Sequence, residues 1–227
     1  MTTTLDLSDA SVVMFPLQGD WVAVNTPAER VPSHGTDYFG QRYAFDFARL
    51  DEGGQKFYAT SILRHFLAVV RVTEFLAWNA PVLASFGGRV IRAGDGWPDR
   101  MRVNAMWELF RATFLAQGPN GADYRPLLGN YVLVEGDPGV ALYAHLKQGS
   151  VAVRDHDSVT GRQQLGRVGN SGNSTMPHLH FHLMNGPDPL TAEGRLCVFA
   201  EYERRVGDLW IPVQRGVPGR LQRVRAV

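Results

Sequence analysis

Three histidines recur at a spacing of two in Pro177-His178-Leu179-His180-Phe181-His182, directly after the run Gly169-Asn170-Ser171-Gly172-Asn173-Ser174-Thr175. Alternate side chains share a face on an extended strand, whereas neighbours two apart on a helix do not face each other. A His-x-His strand therefore presents two imidazoles to one metal, or to one metal and its bound water. The chain has only seven histidines in 227 residues, so three at one spacing stand out from composition. A hydrolytic zinc site needs three protein ligands and one open position. The single cysteine, Cys197, excludes a thiolate cage, which leaves histidine and carboxylate as donors.

One ligand can come from the His-x-His strand, and the others must lie elsewhere. The N-terminal half offers Ser33-His34-Gly35-Thr36-Asp37 and Ala44-Phe45-Asp46-Phe47. Asp46 stands among aromatic and small apolar residues, where an unpaired carboxylate is costly and a metal would remove the cost. The bland alternative is an edge-strand aspartate facing water. His145 closes Tyr143-Ala144-His145-Leu146 and shares a strand face with Tyr143, as an ordinary half-buried histidine would. Beside a His-x-His and an apolar Asp it becomes a candidate for binding an oxyanion or shuttling a proton. His156, in Arg154-Asp155-His156-Asp157, reads as solvated, and His65 has no chemical context. Cys197, within Leu196-Cys197-Val198-Phe199, reads as a small core residue.

The elements that must position these residues are mostly strands. Ser11 to Pro16 and Arg42 to Phe47 have strand character, and Pro81-Val82-Leu83-Ala84 with Gly87-Gly88-Arg89-Val90-Ile91 read as two short strands joined by a turn. Residues 49–77 are ambiguous: Leu63, Phe66, Leu67 and Val70 fit a helical stripe, while Val69 to Val72 is β-branched. Pro98 to Gln117 is the best helix, with Met106, Leu109, Phe110 and Phe114 on one face directed to the core. From residue 129 the pattern is all β. Asn130–Glu135 and Val140–His145 flank the turn Gly136-Asp137-Pro138-Gly139, and short strands at Ser150–Val153 and Leu165–Val168 lead to the histidine strand. Short, evenly spaced strands predict a mainly β, antiparallel sandwich or barrel-like core with helical insertions.

A net charge of +1 and an arginine-dotted end from Arg215 to Arg225, read as a solvated surface segment, give no case for nucleic acid. The first residues show neither a basic nor an apolar region of an export signal. No stretch approaches the about 18 continuous apolar residues of a membrane span. The length fits one domain over 1–227, with a core at about 30–190, insertions at about 49–77 and 98–126, and a C-terminal extension at 191–227.

Gly172-Asn173-Ser174-Thr175-x-Pro177-His178-Leu179-His180-Phe181 resembles the signature of the lysostaphin-like (LytM, M23) zinc metallopeptidases. Tyr143-Ala144-His145-Leu146 is similar to that family's Tyr-x-His-Leu segment, and Pro81 to Val90 to its hairpin. The resemblance spans about residues 34 to 190 and is strongest from 129 to 186. It implies a β-rich fold of the duplicated hybrid motif type around Zn²⁺, with His34, Asp46 and His180 as ligands and His145 and His178 as the paired catalytic histidines. It also implies an endopeptidase acting on peptide, in stems or cross-links of peptidoglycan. The family spaces its first two ligands as His-x-x-x-Asp. Here position 42 is arginine and His34 lies twelve residues before Asp46, so the loop 35–45 is expected to be an insertion that lets His34 reach the metal. His182 takes a place that the family often gives to Glu or Gln and is expected to play a supporting part. The rivals are a non-catalytic zinc-binding or regulatory relative and a histidine phosphotransfer domain.

Overall fold

The alternating segments assemble into a twelve-stranded sheet in the computed structural model of the chain, which describes residues 5–51, 53–54, 56–58, 69–114 and 123–226. The N-terminal half supplies β1 (Ser11–Val13), β2 (Asp20–Asn25), β3 (Phe45–Ala48), β4 (Val70–Arg71), β5 (Pro81–Leu83), β6 (Gly88–Gly94) and β7 (Arg102–Val103). Helices α1 (Ala105–Phe114) and α2 (Arg125–Leu128) follow. The rest is β: β8 (Asn130–Gly136), β9 (Gly139–Leu146), β10 (Ser158–Val159), β11 (Gln164–Arg167), β12 (Leu179–Met184), β13 (Gly194–Arg195), β14 (Cys197–Val206), β15 (Leu209–Gly216) and β16 (Arg223–Arg225).

The large sheet runs β1-β14-β16-β2-β3-β12-β9-β8-β6-β10, with β13 and β15 attached to β12 and β14. All its pairs are antiparallel except β1 with β14. Its end strands do not pair with each other, so the mainly β fold is an open sheet and not a closed barrel. A two-stranded sheet, β5 with β11, covers one face: Val82 and Leu165 join Val132, Tyr143, Phe45 and Phe181 in the main core.

Period-two alternation explains how the site comes to lie on the opposite face. Phe45 and Phe47 of β3, and Leu179, Phe181 and Leu183 of β12, enter the main core. Asp46, His180 and His182, between them, must then point the other way. Below them on that side, Phe39, Leu133, Leu142, Ala144 and Met184 form a second apolar cluster. The central strands are thus covered on both faces, and an ionisable residue there sits in a buried environment.

Several expectations shift. Arg42 and Tyr43 close a 3-10 turn, Tyr38–Tyr43, in place of strand, and β3 starts at Phe45. The strands near Pro81 and Gly88 form, but not as a hairpin: β5 pairs with β11 and β6 with β8 and β10. Residues 151–153 form no strand. The stripe Leu63-Phe66-Leu67 and His65 lie outside the described residues, and Val70 is in strand. Helix α1 starts at Ala105 and not at Pro98, and it turns Glu108 inward, 2% exposed, with Met106 64% and Phe110 46% exposed; residues 115–117 and the side chains of Leu109 and Phe114 lie outside the described residues. The Arg215–Arg225 end is no solvated segment either. It contains β16, which pairs with both β2 and β14 and buries Val224 completely.

Candidate metal and catalytic centre

Asp46 is the hub of the buried cluster. In the β3–β12 register it lies directly opposite His180, whose Nδ1 stands 2.9 Å from Asp46 Oδ1. His34 Nε2 reaches the other oxygen, Oδ2, at 2.8 Å, and His178 Nε2 lies 3.5 Å from Oδ1. One donor atom each from His34, Asp46 and His180 falls within 4.8 Å of the others. No lysine or arginine pairs with Asp46 among the described residues; besides the imidazoles its partner is the Asn25 amide, donating to Oδ2 at 2.6 Å.

The loop 35–45 brings His34 in. Ser33 N donates to Arg42 O at 2.9 Å, tying the two ends of the loop together. Within it Phe39 (φ 66°) and Gly40 (φ 67°) adopt left-handed conformations. That reversal buries Phe39 against Tyr124, with ring centroids 5.3 Å apart. Arg42, which stands where the familiar spacing has histidine, turns outward and pairs with Asp37 at 2.8 Å. Asp37 is thereby engaged at the surface, away from the cluster.

His145 reaches the site by a β-bulge. Asn130 pairs with Leu146 and Val132 with Tyr143, so β9 has one residue more than β8 between these pairs. His145 has φ 61°, a strained conformation for a residue with a side chain, and it does not follow Tyr143 into the main core. The expectation that the two share a face fails for that reason. Its Nδ1–H donates to Ser171 O at 3.0 Å. His178 is held alike, Nδ1–H donating to Met176 O at 2.7 Å, and the two rings lie 4.9 Å apart. A carbonyl oxygen can only accept, so each ring keeps a proton on Nδ1, and Nε2 is the nitrogen that takes up a second proton. His182 is buried behind His180, Nδ1 lying 3.0 Å from His180 Nε2.

Burial alone would raise the Asp46 carboxyl, but His34 and His178 outweigh it and hold the group well below the usual carboxylate range. For His178 burial works against protonation, and the neighbouring Asp46 overrides it and raises the pKa. His145 and His182 are pushed well below the imidazole range, chiefly by burial, and His180 is lowered by the same cause. Cys197, buried, is pushed up to about 12 and takes no part. Exposed His156 lies in a turn, as expected.

Asp46 and the five histidines around it, His34, His145, His178, His180 and His182, line a cavity of about 460 Å³. Asn25, Thr36, Gln41, Asn173 and Thr175 supply its polar wall, with Phe39, Leu127 and Leu128 on the apolar side. Sequence reasoning did not find Asn25. A second bulge, where β2 has an extra residue between Ala23 and Asn25, sets it opposite Asp46, and no local pattern announces a bulge made by a distant strand.

Residues 119–192 match the sequence model of Peptidase family M23. They include His145, His178, His180 and His182. The chain carries an M23 segment. A curated relative, the peptidoglycan DD-endopeptidase ShyA of Vibrio cholerae serotype O1, is 35% identical over 68 residues, which make up 30% of this chain and 15% of the relative. Among solved structures, the catalytic domain of lysostaphin from Staphylococcus simulans is 19% identical, covering 78% of this chain and 88% of that one with a TM-score of 0.38. The catalytic domain of the prophage-encoded M23 protein EnpA from Enterococcus faecalis is 18% identical, covering 71% and 85%, also with a TM-score of 0.38. The M23 segment stops short of Asp46 and His34, which the fold brings to it from outside. No described helix is long and apolar enough to cross a membrane.

Proposed function

We propose that the chain is a zinc-dependent endopeptidase that hydrolyses peptide bonds of peptidoglycan, with His34, Asp46 and His180 as the metal ligands. The observation that carries this reading is the buried Asp46 carboxylate, held between His34 Nε2 and His180 Nδ1 on a cavity wall, with no lysine or arginine beside it among the described residues. Two imidazole nitrogens and one carboxylate oxygen are the donor set of a catalytic zinc site with its fourth position open. The chemistry that zinc supplies in such a setting is Lewis acidity toward the scissile carbonyl and toward water.

His145 and His178 do the proton work. Each ring is fixed through Nδ1–H on a backbone carbonyl, so its Nε2 can take up a proton without turning. One accepts the proton released when water adds to the carbonyl carbon. The other, protonated, hydrogen-bonds the oxyanion and then passes that one proton to the amine nitrogen as the C–N bond breaks, so the pair ends with as many protons as it began with. Asn25 holds the Asp46 carboxylate against rotation. The cavity's amide and hydroxyl side chains suit the alternating donors and acceptors of a peptide, and the likeness to a peptidoglycan endopeptidase supports that substrate class.

Metal analysis of the purified protein beside His34→Ala and His178→Ala tests the reading. About one zinc per chain is expected in the wild type, its loss in His34→Ala, and retention in His178→Ala. Release of new amines from peptidoglycan or oligoglycine is expected from the wild type alone. Undiminished zinc in His34→Ala would sink the ligand set. Amine release by the His178→Ala variant would sink the catalytic assignment.

A further inference from the structure

Helix α1 is fastened to the body by charge. Its apolar side chains Met106 and Trp107 face outward, 64% and 55% exposed, and Glu108 is buried. A buried carboxylate must be paired, and Glu108 is paired twice: with Arg100 Nε at 3.2 Å and with Arg111 Nε at 2.9 Å. Each guanidinium thus spends its Nε–H on Glu108, which fixes the plane in which its other donors point. Those donors converge on the loop before the histidine strand. Arg100 Nη1 donates to Gly172 O at 2.5 Å and its Nη2 to Ser174 O. Arg111 Nη2 donates to Ser174 O at 2.7 Å and its Nη1 to Asn173 Oδ1 at 3.1 Å.

The grip continues to the site. Ser174 Oγ donates to Met176 O at 2.6 Å and lies 3.2 Å from His178 Nδ1, and Met176 O is the carbonyl that receives His178 Nδ1–H. Asn173 and Thr175 line the cavity itself. We infer that Glu108, through Arg100 and Arg111, is a positioning residue that sets the loop Gly172–Thr175 and with it the orientation of His178 and one wall of the cavity. The helix then belongs to the apparatus of the site, although none of its described side chains lines the cavity. The kinetic part of this inference rests on the catalytic role proposed for His178. None of the three residues touches His34, Asp46 or His180, so the clamp serves the proton-transfer side and not the metal side.

The test compares wild type with Glu108→Ala, Glu108→Asp and Arg111→Gln in the full-length, zinc-loaded protein. Arg111→Gln leaves the neutral pair Arg100–Glu108 intact, which keeps the question open if Glu108→Ala does not fold. The expected result for Glu108→Ala is a drop of about 10- to 100-fold in kcat on peptidoglycan, since small misplacements of a catalytic group act at that level. Zinc affinity should stay within about twofold, as for sites without shared partners. The imidazole ¹⁵N signals of His178 should shift or broaden while those of His34 and His180 hold. Glu108→Asp should recover most of the loss, and Arg111→Gln should show the same effects in smaller measure. Folded Glu108→Ala or Arg111→Gln protein with wild-type kcat and an unchanged His178 signal overturns the inference, and so does a loss of zinc in parallel with activity. If the wild type neither holds zinc nor cleaves, the catalytic reading falls, and the clamp stands or falls on the His178 signal alone.

Discussion

His180 can ligate a metal through Nδ1 only when its ring proton sits on Nε2, and Nε2 is buried. A buried N–H needs an acceptor, and His182 Nδ1, 3.0 Å away, is positioned to be one. His182 is itself 1% exposed, and burial keeps it uncharged, so its ring has one lone pair, which lies on Nδ1 when its proton is on Nε2. His182→Phe fills the same space and removes the acceptor. A loss of about 10- to 100-fold in zinc affinity is expected, measured by competition with a chelator of known affinity. His182→Gln, which restores an acceptor, should lose less. Equal affinity in wild type and His182→Phe would reduce the contact to packing. The His-x-His-x-His spacing is legible in the sequence because alternation on a strand is a local property. The separate duties of the three rings are not, since they depend on which nitrogen meets Asp46, Met176 or a neighbouring ring across the sheet.

Two bulges convert a regular sheet into a site. The one in β9 turns His145 out of the main core at the cost of a left-handed backbone, about 1–3 kcal/mol for a residue with a Cβ. His145→Gly relieves that strain and forfeits the bond to Ser171 O, worth about 1 kcal/mol, together with the ring's packing. The two nearly offset. Urea denaturation should therefore place the variant within about 1 kcal/mol of wild type, while peptide cleavage falls by about 100-fold or more. A variant that is badly destabilised, or that still cleaves, contradicts a functional origin for the strain. Helix α1 shows the same limit of local pattern from the other side. Periodicity reveals that Met106 and Phe110 share a stripe but not which side the body occupies. The burial of Glu108 was decided by Arg100 and by loop carbonyls some 64 to 66 residues further on. The helix is legible; its inward face is not.

Over the whole molecule, the two ends of the chain build the support behind the site. β1 runs parallel to β14, and β16 lies between β14 and β2, so N- and C-terminal segments are laced into one sheet beside β3. Phe199 of β14 is the common packing partner of both site strands. Its ring lies 5.2 Å from Phe45 and 5.8 Å from Phe47, which flank Asp46, and 6.0 Å from Phe181, which separates His180 from His182. It also meets Phe15 at 4.8 Å. Read along the sequence, residues 191–227 are an extension beyond the core; the pairings of β14 with β1 and of β16 with β2 make them structural, contacts across some 200 residues that no local pattern encodes. Phe199→Ala should accordingly cost about 3–5 kcal/mol, a cavity in a fully buried aromatic cluster with little room to collapse. For a chain of this size that corresponds to a fall of about 10 °C in Tm, read by calorimetry. Because Asp46 and His180 ride on the strands that Phe199 supports, the zinc-free protein should show the full loss. Saturating zinc should recover part of it through binding to the folded state alone. A Tm within about 2 °C of wild type in Phe199→Ala would mean that the C-terminal strands decorate the core and do not support it.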